Sequence, residues 1–209
     1  MNELWTSYVY LIAVVFTWLI QLFGGSVGLA IITLSSSVRI ALLPLSIRLA
    51  QRAKKQQEIL LKLQPEIEEL KKRYSSNPQK LSEETLKVYR RNGYSPFSGS
   101  TISGMLVQLP IFAGLYSVIR NGVTVGSRFL WITDLAKPDL LLTIVIGLLT
   151  FITSAIAPGI SHQSRNMMLI VPTVITLFFV WQMSSGLGLY WAASSAFGIA
   201  QNIMLRKRK

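Results

Sequence analysis

Long uncharged runs alternate with charged segments along this chain. No Asp, Glu, Lys or Arg occurs between Glu3 and Arg39, between Tyr94 and Ile119, or between Arg165 and Arg206. A helix that crosses a bilayer needs about 20 mostly apolar residues. The first run exceeds that length, and Gly24-Gly25 interrupts it. The pattern predicts an N-terminal helix over 5–23 and a first core span over 26–47, with Pro44 bending or loosening its end. Further spans are expected over 99–119, 140–157, 167–183 and 187–205. Ala157-Pro158-Gly159 stops the third core span, and Ser184-Ser185-Gly186-Leu187-Gly188 turns the chain between the last two. Trp5, Tyr8, Tyr10 and Trp18 suit a membrane interface, so the N-terminal helix reads equally as a crossing or as a helix among the headgroups.

Between Arg48 and Asn92 the pattern changes to a charged segment with an apolar minority. Ile59, Leu63, Ile67 and Leu70 recur at three and four residues, which is one helical face. Ser75-Ser76-Asn77-Pro78 reads as a turn, with Asn77 an N-cap and Pro78 at the first helical position. A shorter helix over 78–91 carries Leu81, Leu86 and Tyr89 and ends at Asn92-Gly93. An antiparallel helical hairpin outside the membrane is expected, with Pro65 kinking its first arm. The plan is an all-α polytopic membrane protein: an N-terminal helix (1–23), a first core span (24–48), the hairpin (49–95) and four further core spans (96–209). The hairpin is longer than a connector requires, and unusually long loops are often functional. A docking surface is expected on Arg52, Lys54, Lys55, Lys71, Lys72, Arg73, Arg90 and Arg91, together with the tail Arg206-Lys207-Arg208-Lys209.

Composition agrees with a membrane protein. Of 209 residues, 51% are hydrophobic and 14% charged, yet the net charge is +12. In such a chain the charge gathers in the loops and marks one side of the bilayer. The hairpin and the tail hold most of the Lys and Arg, so their side is expected to be cytoplasmic. The 120–139 loop, with three basic and two acidic residues, falls on the other side. There is no Cys, which removes disulfides, thiol catalysis and lipidated cysteine. No basic region precedes the first apolar stretch, so no cleavable signal peptide is expected.

One position carries the chemistry. Arg39 lies well inside the apolar run of the first core span, where a cation costs about 2.5–3.5 kcal/mol on insertion scales. At about 1.5 Å per residue, Arg39 sits about 13 Å further in than Arg48, which argues against snorkelling to the interface. Ser35 and Ser36 share its helical face, one turn earlier. In the second core span Thr101, Gly104 and Gln108 share a face, and in the fifth Tyr190, Ser194 and Gln201 do so. Arg39, Gln108, Tyr190 and Gln201 could together line a water-bearing groove. Thr143, Thr150, Ser154, Thr173 and Thr176 read instead as helix–helix glue.

Four stretches in order carry a resemblance: VRIALLPLSI after Gly28, LQPEIEELKKRY at 63–74, QLPIFAGLY at 108–116 and LYW at 189–191. With the hairpin between the first and third, the chain resembles the YidC/Oxa/Alb family of membrane protein insertases from Gly24 onward. The resemblance implies that Arg39 sits in a hydrophilic groove in the inner leaflet, with Gln108, Tyr190 and Trp191 facing it. It implies nascent membrane proteins and the lipid bilayer as partners, with the ribosome and a Sec translocon as further candidates. The implied location is a bacterial cell membrane rather than an organellar one, with hairpin and C-terminus cytoplasmic. The stretch SGSTISG at 98–104 departs from the Cys and Pro that often open the second core span in relatives. No large extracytoplasmic domain or lipoprotein-type cysteine is expected, and the tail is too short for extended ribosome binding, so ribosome contact falls to the hairpin and the short basic end.

A groove of this kind shortens the apolar path that a polar tail must cross. No cofactor, metal or catalytic residue is expected, and no GxxxxGK[ST] nucleotide motif is present. An intramembrane hydrolase lacks its parts, because the single histidine, His162, lies in a loop and no Asp or Glu falls within a span. The alternatives are a small transporter or a lipid scramblase using the same polar stripe. Against the transporter stand the lack of an internal repeat and a hairpin that a solute pore does not explain.

Overall fold

Short polar caps, Ser26 and Asn77, start two of the helices, and glycines in left-handed conformation end two. The computed structural model describes residues 2–95, 99–122, 126–156 and 165–207, with side chains at all of these except 2, 99–108, 165, 168 and 205–207. Among the described residues the chain is all helix: α1 (Asn2–Leu22), α2 (Val27–Ala41), α3 (Leu43–Arg73), α4 (Pro78–Arg91), α5 (Gly99–Gly122), α6 (Leu140–Ile156), α7 (Arg165–Val180) and α8 (Ser185–Lys207). Gly24 and Gly25 take left-handed φ values of 61° and 91°. Their N–H groups donate to Gln21 O at 3.1 Å and Ile20 O at 2.8 Å, which satisfies the last carbonyls of α1. Ser26 then caps α2, accepting from Leu29 N.

The first core span does not run straight to 47. Leu42 breaks it, and α3 leaves α2 at 64°. Pro44 is the cause: it has no N–H for Ile40 O, and its ring would collide with that carbonyl in a continuous helix. Pro44 therefore opens α3, and 43–47 belong to the first arm of the hairpin rather than to the span. Ser46 Oγ lies 3.1 Å from Gln201 Oε1, pinning the bend to α8. Pro65 lies inside α3, which runs on through it to Arg73.

α3 and α4 pack against each other along one apolar face. Leu63 and Ile67 of α3 bury against Val88 of α4, flanked by Ile59, Leu60, Leu70 and Tyr89. Asn77 Oδ1 accepts from Lys80 N at 3.1 Å at the start of α4. Gly93, at φ 65°, ends it with the same two-bond closure seen after α1. The rings of Tyr89 and Tyr94 meet at 4.6 Å across that closure. Glu66 accepts from Arg91 Nη2 at 2.9 Å across the arms. This pair is exposed, and pairs of that kind are worth at most about 1 kcal/mol.

The remaining helices form one bundle. α8 packs on α2, α5 and α6; α7 covers α6; α1 covers α2 and α5. Tyr8 sits against Gly114 and Phe16 against Gly122, equal steps along both helices, so α1 runs parallel to α5. Tyr8 OH also donates to Pro110 O at 3.3 Å. The outer side of α1 leaves Leu4, Leu11, Val14, Trp18 and Leu22 exposed. α1 is long and apolar enough to cross a membrane, and α2 with α3 passes the same test as a bent pair. α6 is apolar but only 17 residues long, and the apolar part of α7, Leu169–Val180, is shorter still.

At the end of the bundle away from the hairpin, the loop after α5 is a packed cover. Ile132 and Leu135 are buried, and Phe129 lies over Gly28 of α2. Gly186 N donates to Leu135 O, and Ser185 N and Oγ both donate to Lys137 O. Asp134 organises the loop, accepting from Ala136 N at 3.0 Å and Gly126 N at 3.2 Å. The Ala136 N–H first, then the Gly126 N–H and Lys137, hold its carboxyl below the usual carboxylate range against a smaller opposing effect of burial. A carboxyl lowered by folding supports the fold at pH values above its unfolded value of about 3.9, and that support is lost as pH falls through the folded value. Protection of the Gly126 and Ala136 amides from hydrogen exchange, relative to their free rates at each pH, is therefore expected to fall below about pH 4, and in Asp134→Asn to be low already at neutral pH.

Candidate functional site

Arg39 lies near the C-terminal end of α2, two residues before the last helical position. It is half-buried, and no carboxylate among the described residues pairs with it. Its side chain faces a cavity of about 520 Å³ built by five helices. α5 contributes Leu109 and Phe112 to one wall; α6 contributes Thr150, Thr153 and Ser154, and α7 Thr176, to the other. Tyr190, Trp191, Ser194, Ser195 and Gly198 of α8 form the floor between them. The arrangement follows from packing. α5 rests on α8 and α1, whereas α6 rests on α8 and α7, so α8 is the floor common to both walls.

The hydroxyls of this lining differ in how they are used. Thr150 Oγ1 and Thr153 Oγ1 donate to carbonyls one turn back, Ile146 O at 2.9 Å and Leu149 O at 2.8 Å. Such back-bonding satisfies the proton but leaves oxygen lone pairs free to accept. Ser194 Oγ is buried and has no hydrogen-bond partner among the described residues. A buried polar atom without a partner costs about 1–3 kcal/mol; the free lone pairs of the Thr150 and Thr153 hydroxyls suit the cavity to water or a polar guest. Phe112 closes the end away from the hairpin, with Tyr116 and Tyr190 at 6.0 Å and Trp191 at 6.3 Å between ring centroids.

The structure brings together Arg39, Tyr190, Trp191 and Ser194, which the sequence singled out. Ser35 is buried but donates to Ile31 O, and neither it nor Ser36 reaches the cavity. Gln201 engages Ser46 at the bend instead. The side chains of Thr101 and Gln108 lie outside the described residues. Thr150, Ser154 and Thr176, expected as helix glue, are lining residues, while Thr143 and Thr173 bond back to their own helices. Thr153, Ser195 and Gly198 escaped the sequence reading, although Thr153 lies one turn from Thr150 and Gly198 one turn from Ser194. On the hairpin, Arg52, Lys54 and Lys55 gather with Arg48 around a basic hollow of about 430 Å³. Lys71, Lys72 and Arg73 end α3, and Arg90 and Arg91 end α4, where cations complement the helix dipole. The side chains of Arg206 and Lys207, and all of Arg208 and Lys209, lie outside the described residues, as does the loop with His162.

An uncompensated guanidinium, a wet-capable hollow and outward-facing apolar helices define an all-helical membrane protein with an internal polar cleft. The family model described as "60Kd inner membrane protein" matches residues 18–209. The chain is 34% identical over 212 residues to membrane protein insertase YidC 2 of Listeria innocua, covering 96% of this chain and 71% of that protein. It is 36% identical to membrane protein insertase YidC of Caldanaerobacter subterraneus, covering 88% of each, and 32% identical to membrane protein insertase MisCA of Bacillus subtilis, covering 97% and 79%. An active YidC insertase crystal structure with its first transmembrane domain resolved superposes with a TM-score of 0.68 at 29% identity. That match covers 95% of this chain, which spans 45% of the crystallised one. The chain belongs to the 60Kd inner membrane protein family, the membrane protein insertases of the YidC type.

Proposed function

We propose that the Arg39 cavity is the path by which this protein lowers the barrier for polar tails of newly made membrane proteins. The observation that carries it is a half-buried arginine without a carboxylate partner among the described residues, facing a cavity lined on one wall and its floor by Ser and Thr. An acidic residue of an incoming tail finds there the counter-charge and acceptors that hydrocarbon lacks. The Phe112 cluster shuts the far end, so the polar step is taken from one side only. The apolar segment that follows leaves sideways into lipid, where burial contributes about 25 cal/mol per Å². An inside-negative potential adds about 2.3 kcal/mol per acidic charge per 100 mV. No covalent bond of the passenger changes.

The topology proposed places the hairpin and the basic tail in the cytoplasm, by the positive-inside rule. α1 runs parallel to α5, which supports a crossing for α1 rather than a position among the headgroups; the N-terminus then shares the hairpin's side. The basic ends of α3 and α4 suit phosphate-rich partners such as ribosomal RNA, and a Sec translocon is the further candidate partner. The test is insertion into proteoliposomes that contain only this protein, scored by protease protection of a single-span substrate with a short acidic tail. Protection equal to that in protein-free liposomes would overturn the reading. Removal of 52–91 with no loss of crosslinks to ribosome-bound chains would overturn the docking role alone.

A further inference from the structure

A second, smaller hollow of about 250 Å³ lies beyond the aromatic cluster, at the end of the bundle away from the hairpin. Arg120 of α5, Gln182 and Ser184 of the turn after α7, and Tyr116 line it, with buried Leu187 of α8 at its base. Arg120 is held over the Tyr116 ring at 6.0 Å, and its Nη1 lies 3.4 Å from Tyr116 OH. No carboxylate among the described residues pairs with it. The two acids of the adjacent loop are already engaged: Asp134 by Gly126 N, Ala136 N and Lys137, and Asp139 by Leu142 N and Trp131 Nε1. The first N–H groups of α8 are likewise spent on loop carbonyls, Ser185 on Lys137 O and Gly186 on Leu135 O.

The exposed guanidinium is the charge of this hollow that has no carboxylate partner among the described residues, with an amide and a hydroxyl beside it. Along α5, Phe112 on the Arg39 side and Arg120 on this side are eight residues apart, about 12 Å of helix. The rings of Phe112, Tyr116, Tyr190 and Trp191 fill the space between. We propose that the Arg120 hollow is an exit site that binds a carboxylate of the passenger's tail once it has crossed the aromatic partition. This rests on the insertion reading of the Arg39 cavity. A carboxylate fits better than a lipid phosphate, because the walls come from α5, the loop and the α7–α8 turn and the base is a buried core residue. Two cations on opposite sides of an aromatic partition give an acidic residue a bound state before and after its crossing, and the second opposes its return.

The experiment uses the full chain in proteoliposomes with a photo-crosslinker at Met183, beside the hollow, or at Leu109, in the Arg39 cavity. The substrate is a stalled single-span protein whose tail carries Asp or, as a control, Asn. The acidic tail is expected to crosslink at both positions. Arg120→Gln is expected to lower the Met183 crosslink about three- to fivefold, the scale of one solvent-accessible charge pair. The Leu109 crosslink stays unchanged, and Arg120→Lys retains most of the Met183 signal. Met183 crosslinks that ignore Arg120→Gln, or that depend on anionic lipid and not on tail charge, would overturn the exit site. Absent Leu109 crosslinks in the unmodified protein would instead overturn the Arg39 reading itself.

Discussion

Arg39→Gln is expected to lower insertion of an acidic-tailed substrate about tenfold, which corresponds to about 1.4 kcal/mol. The charge is the only one facing its cavity among the described residues. At an effective dielectric of about 20, a pair of unit charges 4 Å apart attracts by about 4 kcal/mol. Water in the cavity and the entropy of holding a mobile tail remove more than half of that. Arg39→Lys keeps the charge and is expected to retain most activity, losing only the planar fork that grips a carboxylate by two bonds. A tail whose acids are replaced by Asn should be indifferent to both substitutions. The check is protease protection measured with all three proteins and both tails. Loss of insertion for the neutral tail with Arg39→Gln would show a structural defect instead of a lost charge.

Gly28→Leu is expected to destabilise the folded protein by about 2–3 kcal/mol, a large overpacking effect. A Cβ built at Gly28 would overlap Phe129 Cγ and lie 2.7 Å from Phe129 Cβ. Those atoms cannot swing aside as the tip of a flexible chain would. Phe129 is fixed by its paired hydrogen bonds with Ile132, at 3.0 and 2.9 Å, and Ile132 is itself buried. The substitution therefore lifts the loop from α2 and α8. For a chain of this size, Tm in detergent should fall by about 4–12 °C. Phe129→Ala removes the ring carbons and leaves only its Cβ near Gly28, so the double variant should lose less than the sum of the two single losses. Additive losses would mean that the loop does not rest on Gly28.

Much of the fold was legible because its signals are local. Gly24-Gly25 and Asn92-Gly93 each end a helix, Asn77-Pro78 starts one, and charge-free runs of sufficient length have few alternatives to a buried or membrane-facing helix. The hairpin face Ile59-Leu63-Ile67 needed only helical spacing. The bend at Leu42 was half legible. Pro44 announced a disturbance, but the direction the new helix takes is seen only in the tertiary structure, where Ser46 meets Gln201 on a helix 155 positions away. The same pairing withdrew Gln201 from the cavity.

The threonines mark the limit more sharply. Thr143 and Thr150 have the same type and lie two turns apart on α6, yet one is buried near the loop and the other lines the cavity. Nothing within α6 separates them. The difference is which neighbour stands opposite, and that is fixed by how α6 and α5 diverge from α8.

By itself the sequence determined the class of protein, the order of its helices, the hairpin and the one cation that had to be explained, because each follows from chain-local energies of transfer, capping and periodicity. Only the tertiary structure decided that Arg39, Ser194, Tyr190 and the α6 hydroxyls share one hollow, that Phe112 closes it, and that Arg120 waits beyond it. A cavity is what packing leaves unfilled, so it exists only after helices distant in sequence have been set side by side.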